Sequence, residues 1–116
     1  MKTTEGNKLI AEFMGYKPFD AFWDKSDNKK WYSINQLTGN SRNSEDELRF
    51  HSSWDWLMPV VEKIEQDQGE GYNILIEHRN CWIESDGITI EGYSTESKIE
   101  AVFNAVCEYI TWYNEN

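Results

Sequence analysis

The chain has 116 residues, of which 39% are hydrophobic and 15% aromatic, and its formal net charge at pH 7 is -10. This length predicts a single domain over residues 1–116, and no apolar run approaches the roughly 20 residues that a membrane span needs. The two cysteines are too few for a disulfide framework, and the first residues lack a secretion-signal pattern. We therefore expect a soluble, cytoplasmic protein whose cysteines are small buried hydrophobic residues.

The acidity lies in one half of the chain. Residues 1–50 hold eight Lys or Arg and eight Asp or Glu, whereas residues 51–116 hold three and thirteen. Such a charge opposes binding to nucleic-acid phosphates or anionic membranes and favours a partner with a basic surface. It is equally typical of a surface whose acidity only maintains solubility.

The first part of the chain predicts a helix, a hairpin and a loop. Apolar residues at helical spacing predict a helix over Thr4–Met14, with Gly15 at its left-handed exit. Two aromatic runs, Phe19–Trp23 and Trp31–Ile34, flank a polar turn and predict a β-hairpin. The polar stretch Gln36–Glu47 has no periodicity and predicts a flexible loop.

A second helix is predicted from about residue 53, where serines can cap its start. Steps of three and four residues predict a core-facing stripe of Trp54, Leu57, Met58, Val61 and Ile64. Trp56 lies off this stripe together with Val60, so we expect Trp56 to be available to a partner. Pro59 predicts either a bend or a regular helix confined to the residues that follow it.

The segment YNILIEHRNCWIESDGITIEGY predicts a three-stranded antiparallel meander with two-residue turns at Arg79-Asn80 and Asp86-Gly87. Pairing about these turns sets Ile76 opposite Ile83 and Ile83 opposite Ile90, on a face that we expect to be core. The opposite face is predicted to be acidic and aromatic. It carries a row of Glu77, Trp82 and Glu91, flanked by Leu75, Glu84, Thr89 and Tyr93.

The last segment predicts a helix that starts with the capping box formed by Ser97 and Glu100. Its apolar stripe consists of Ile99, Val102, Phe103, Val106, Ile110 and Tyr113. The chain as a whole predicts an α+β fold. A single layered domain would combine the antiparallel meander and an additional N-terminal hairpin with three helices packed against them.

No candidate catalytic or metal site is complete. His78 and Cys81 stand three residues apart, but zinc needs three or four converging ligands, and only His51, Cys107 and carboxylates remain. The sequence contains neither a G-x-S-x-G motif nor a glycine-rich phosphate loop. We predict a non-enzymatic protein with no catalytic residues, no metal and no cofactor.

Two carboxylates still suggest hydrolytic chemistry, because Glu77 and Glu91 would flank Trp82 from neighbouring strands, as paired acids flank a sugar. A general acid needs a pKa raised by burial in a cleft, and a chain this short has little material to wall one. A solvated or partner-facing acidic sheet is the simpler interpretation.

The polar turn of the hairpin offers a third candidate, for single-stranded nucleic acid. It places Lys25, Lys29 and Lys30 beside Trp31 and Tyr32, a basic and aromatic combination that suits stacked bases. Two aspartates dilute this cluster, and the net charge of -10 opposes it.

Three segments give the chain a resemblance that spans nearly its whole length: FMGY, SSWDWLMPVVEKIE and SKIEAVFNAVCEYITWYN. They resemble uncharacterised small proteins encoded by bacteriophages and prophages and, more distantly, the phage ABA sandwich domain. The resemblance implies an α/β layered fold and a phage accessory role in the cytoplasm of the host cell. It implies no catalytic residues.

These observations predict a non-enzymatic phage-type protein that binds a host protein with a basic surface, as an anti-CRISPR protein binds a defence nuclease. The expected partner-binding residues are Glu77, Trp82, Glu84, Glu91, Tyr93 and Trp56. Carboxylates would replace phosphates as partners of Arg and Lys. The alternatives are a nucleotide-sequestering protein in which Lys29, Lys30 or Arg79 meets phosphate, a single-strand binder through the Lys29–Trp31 hairpin, and a self-associating structural protein.

Overall fold

The computed structural model describes residues 3–19, 30–33, 42–67, 73–85 and 87–115. In this part of the chain the helices are α1 (Thr3–Phe13), α2 (Trp54–Asp67) and α3 (Lys98–Glu115), with a short 3-10 helix at Glu45–Glu47. The strands are β1 (Lys17–Phe19), β2 (Trp31–Ser33), β3 (Arg42–Ser44), β4 (Asn73–Glu77), β5 (Asn80–Ser85) and β6 (Ile88–Tyr93). They form two antiparallel sheets, β1-β2-β3 and β4-β5-β6.

The predicted α+β class is confirmed by these helices and sheets. The chain divides into two compact units, Met1–Leu48 and Arg49–Asn116. The organisation of residues 1–116 as one domain stays a prediction.

In the first unit, α1 ends as the sequence predicts. Gly15 has a φ of 89°, and its N–H donates to the carbonyl of Glu12 while the N–H of Tyr16 donates to that of Ala11. These two bonds define a Schellman motif, which satisfies carbonyls that the last helical turn leaves open. The helix buries Ile10 and Ala11 together with the polar Asn7, whose Nδ2 donates to the carbonyl of Leu48 at 3.2 Å.

The predicted hairpin is present, with Phe19 of β1 opposite Trp31 of β2. Its first strand begins two residues earlier than expected, because Lys17 and Pro18 pair with β2 despite their exposure, and it is described over Lys17–Phe19. The rest of the predicted strand and the turn lie outside the described residues.

Residues 42–47 were expected to belong to a loop but form β3 and the 3-10 helix. Strand pairing uses main-chain groups, so the polar β3 can pair with β2 without an apolar pattern. Glu45 strengthens this arrangement, because its carboxylate accepts the N–H of Lys30 at 2.7 Å and lies 3.8 Å from Nζ of Lys8. Residues 36–41 of the predicted loop lie outside the described part of the chain.

In the second unit, α2 begins at Trp54, close to the predicted start, and continues through Pro59. The prediction of a regular helix confined to the residues after the proline is therefore wrong. Its buried stripe also differs from the predicted one. The fully covered side chains are Leu57, Val60, Val61 and Ile64, whereas Trp54 and Met58 are 38% and 37% exposed.

The difference follows from helical geometry. At about 100° per residue, Leu57, Val60 and Ile64 define a narrow arc, and Trp54 and Met58 fall on one flank of it. The sequence predicted this flank as core because both residues are large and apolar. In the first turns of a helix, the spacing of apolar residues alone does not show which of them lie at the buried centre of the stripe and which lie at its partly exposed edge.

Helix α3 packs on the inner face of the β4-β5-β6 sheet. Ser97 caps its start, since Oγ of Ser97 accepts the N–H of Glu100 at 3.2 Å, which is one of the two hydrogen bonds of the predicted capping box. Gly92 on β6 allows close contact: a Cβ there would overlap the Ala101 carbonyl oxygen and the Ala105 nitrogen and would lie 2.6 Å from Ala105 Cβ. Only glycine fits this position without displacing the helix backbone.

Candidate functional site on the outer sheet face

The β4-β5-β6 sheet has one buried and one solvent-facing side, which follows from the alternation of side chains along each strand. Cys81 and Ile83 on the central strand are buried on the inner side. The opposite side, called the outer face below, carries Leu75, Glu77, Trp82, Glu84, Thr89, Glu91 and Tyr93. The two faces therefore have the composition that the sequence predicts.

The register of the first hairpin differs from the predicted one. The structure pairs Glu77 with Asn80, so the turn is His78-Arg79 instead of Arg79-Asn80, and Ile83 lies opposite Ile74. His78 takes a φ of 54°. Both His and Asn are enriched among residues with positive φ. The residue types in the turn therefore did not distinguish a turn at His78-Arg79 from one at Arg79-Asn80. A shift of two residues also keeps every side chain on its face, which leaves the hydrophobic pattern unchanged.

The second hairpin has the predicted register, with Ile83 opposite Ile90 and Trp82 opposite Glu91. The resulting central row is Leu75, Trp82 and Glu91, and the next row is Glu77, Asn80 and Tyr93. Glu77 is thus a diagonal neighbour of Trp82, not the direct cross-strand partner that the sequence predicts.

Trp82 and Glu91 are joined by a hydrogen bond across the strands. Nε1 of Trp82 donates to Oε2 of Glu91 at 2.5 Å. This bond satisfies the polar end of the indole and links it to β6. The partly exposed ring remains part of the sheet surface.

Apolar and acidic side chains alternate on the outer face. Leu75 is 46% exposed and Tyr93 is 58% exposed, on the two strands that flank Trp82. Glu77 and Glu91 are exposed as well, and Glu84 is half-buried. Large apolar side chains that remain exposed among charges are characteristic of protein-binding surfaces.

The end of β6 is fixed by polar contacts. Nδ2 of Asn104 on α3 donates to the carbonyl of Tyr93 at 3.1 Å, and Nη1 of Arg79 donates to the carbonyl of Thr95 at 2.9 Å. No pattern in the sequence indicates either contact. They connect the backbone at Tyr93 to α3 and the backbone at Thr95 to the β4–β5 turn.

Trp56, the remaining predicted partner-binding residue, lies on α2 and is half-buried. Its ring meets that of Phe50 edge to face, with centroids 5.1 Å apart and planes at 85°. Phe50 itself is 1% exposed. Trp56 therefore has an intramolecular packing partner, and the more exposed tryptophan of this helix is Trp54, which the sequence predicts as core.

The cysteines are buried, as predicted. Burial raises the pKa of Cys81 to about 11 and that of Cys107 to about 12. Both thiols are therefore protonated at neutral pH, a state that suits packing and not nucleophilic attack or metal ligation. Within the residues that the structure describes, no three His, Cys, Asp or Glu side chains form a group that could hold a metal ion.

The paired-acid arrangement is not favoured by the register. Glu77 and Glu91 lie on the two outer strands of the sheet and one row apart. Strand spacings place their Cα atoms about 12 Å apart. The Glu91 carboxylate is moreover bonded to Trp82, which lies between them.

The basic hairpin candidate is only partly described, since Lys25 and Lys29 lie outside the described residues. Tyr32, which was expected to stack on bases, is 1% exposed. Burial, followed by the negative charges of Glu12 and Glu45, raises its pKa to about 12. The tyrosine therefore belongs to the core of the first unit and not to a binding surface. Its position in a predicted strand did not reveal which side of that strand was covered.

Among the described residues, three exposed large hydrophobic side chains were missed as surface candidates: Trp54, Met58 and Tyr113. Tyr113 lies in the last turn of α3, where the predicted apolar stripe extends beyond the buried residues. Its position near the end of the helix was the available signal, since a final turn often projects beyond the layer it packs on.

No family model, curated protein or solved structure matches the chain. The resemblance to phage proteins therefore stays a prediction. In the described part of the chain, none of the helices combines the length and the apolar character that crossing a bilayer requires.

Proposed function

We propose that this chain is a non-enzymatic accessory protein of phage type that binds a basic surface of a host protein through its outer face. The host protein we expect is a nucleic-acid-handling nuclease of a defence system, inhibited in the manner of CRISPR inhibitors. The observation that carries the proposal is the composition of the outer face, where Glu77, Glu84 and Glu91 surround partly exposed apolar side chains.

The charge of the second unit supports this choice of partner. Residues 49–116 carry four Lys or Arg and thirteen Asp or Glu, a formal charge of -9. Such a field attracts a basic surface over a distance of about one Debye length, roughly 8 Å at physiological ionic strength. It repels nucleic acid, so the chain would compete with nucleic acid for the same basic groups.

The aromatic and aliphatic side chains provide the remaining binding energy. Exposed carboxylates alone contribute little, because water and salt screen them. Covering Leu75, Trp82 and Tyr93 would exclude water from the neighbouring carboxylates and strengthen their contacts with Arg or Lys. A rigid sheet also loses little conformational entropy on binding.

Affinity capture from nuclease-treated host lysate tests the proposal. The chain should retain a basic protein that handles nucleic acid, and retention should decrease as salt is raised. Added nucleic acid should compete with the chain for that protein. Captured proteins that include no such basic protein would contradict the proposal.

A pair of variants connects capture to the surface. The outer-face variant replaces Glu77, Glu84 and Glu91 with Gln, and the control variant replaces Glu62, Glu65 and Glu108, which are exposed on α2 and α3. Both variants remove the same number of negative charges. Only the outer-face variant should lose the partner.

A further inference from the structure

Trp82 is at the centre of the outer face. On the central strand, Glu84 follows two residues later, while Glu91 lies directly opposite on β6 and Glu77 is diagonal on β4. Cross-strand and diagonal neighbours in a sheet have Cβ atoms about 5–8 Å apart, and residues two positions apart on one strand are about 7 Å apart. All three carboxylates therefore stand within reach of a group placed on the Trp82 ring.

The indole N–H is already used, because it donates to Glu91. A ligand on Trp82 would consequently meet the face of the ring and not its polar edge. The face of an indole carries negative electrostatic potential and attracts cations. The negative ring face and the surrounding carboxylates favour the same kind of ligand, a cation with a flat apolar surface.

We infer that the outer face takes an arginine side chain of a partner polypeptide, with its guanidinium stacked on Trp82 and its N–H groups directed at the surrounding carboxylates. Guanidinium is planar and weakly hydrated, so it stacks on an aromatic ring while its in-plane donors reach acceptors around the rim. The ammonium of lysine is compact and strongly hydrated, and it has no flat face to place on the ring.

This inference rests on the proposed function, since it names the group that the same surface binds. Charge complementarity selects this occupant over a second copy of the chain. Two outer faces brought together would oppose Glu77, Glu84 and Glu91 to their own copies, and juxtaposed like charges disfavour such an association. A basic segment of a partner would instead be attracted to these three carboxylates.

Binding of an oligoarginine and an oligolysine peptide of equal length tests the inference on the intact chain. Isothermal titration should give about tenfold tighter binding of the arginine peptide at equal ionic strength, the preference expected from stacking on a desolvated ring. In ¹H–¹⁵N spectra, the Trp82 indole resonance should shift on binding while that of the exposed Trp54 does not.

Two substitutions separate stacking from charge. Trp82→Leu should abolish the preference for arginine while leaving weaker binding that depends on charge, and the matched Trp54→Leu control should keep the preference. Equal affinity for the two peptides, or an arginine preference that survives Trp82→Leu, would overturn the inference. The spectra of the unsubstituted chain decide the matter independently if Trp82→Leu does not fold.

The outcome is distinguishable from failure of the proposed function. Arginine preference without capture of a basic host protein would contradict the proposed function alone. Capture of such a protein without any arginine preference would contradict only the inference about Trp82.

Discussion

At the scale of single residues, Gly92 shows how one position can determine the packing of a helix on a sheet. The atoms nearest to a Cβ at Gly92 belong to the backbone and Cβ of α3, so no flexible side chain can move aside. This constraint depends on where α3 lies. A single glycine inside a strand pattern does not reveal it, although it does suggest a bulge or a close approach.

Gly92→Ala should therefore destabilise the second unit by about 2 kcal/mol or more, at the upper part of the range for overpacked cores. Urea denaturation followed by circular dichroism measures the effect. Thr95→Ala, at an exposed turn position, is the control and should change the unfolding free energy by less than about 0.5 kcal/mol. If Gly92→Ala were as harmless as the control, α3 would not approach β6 as closely as described.

Trp82 and Glu91 illustrate the opposite case at the residue scale, a contact that followed from the sequence. The Asp86-Gly87 dipeptide predicts the second turn, and Gly87 indeed has a φ of 88°. The turn sets the register, and the register sets Trp82 opposite Glu91. The first turn has no such glycine, so its position could not be derived.

At the scale of elements, α2 presents two tryptophans with different surroundings. Trp56 packs on the buried ring of Phe50, whereas Trp54 is 38% exposed. The sequence predicts the reverse. Helical spacing gives the direction of a stripe, but the position of Phe50 before the helix decides which flank is covered.

Trp56→Ala should accordingly cost about 2 kcal/mol of unfolding free energy, because it removes a half-buried ring and its edge-to-face contact. Trp54→Ala should cost about half as much or less, since Trp54 is already 38% exposed. Chemical denaturation of both variants gives the comparison. A larger loss of unfolding free energy for Trp54→Ala than for Trp56→Ala would contradict this account and support the predicted core-facing stripe that includes Trp54.

Periodicity predicts some of the other elements and misses one of them. Apolar spacing predicts α1, α3 and the two faces of the meander, because burial imposes those periods on the sequence. Strand β3 is polar and short, and it exists through main-chain pairing with β2 and the contacts of Glu45. Such interactions are specified by tertiary context, which single-sequence patterns do not contain.

At the scale of the whole molecule, the two units differ in charge. Residues 1–48 hold seven Lys or Arg and eight Asp or Glu, a formal charge of -1, compared with -9 for residues 49–116. The exposed carboxylates and aromatic side chains of the outer face therefore belong to the strongly acidic unit. Charge and surface composition support the same kind of partner. The charge is counted directly from the sequence, and the composition of the outer face could be predicted because side chains alternate between the two faces of a strand.

The affinity of the captured host protein for the outer-face variant tests the central claim most directly. Substitution of Glu77, Glu84 and Glu91 with Gln should raise the dissociation constant at least about tenfold, because carboxylates covered in an interface contribute more than exposed ones. The control variant at Glu62, Glu65 and Glu108 should stay within about twofold of the unsubstituted chain. Equal weakening by both variants would show that net charge, and not the outer face, binds the partner.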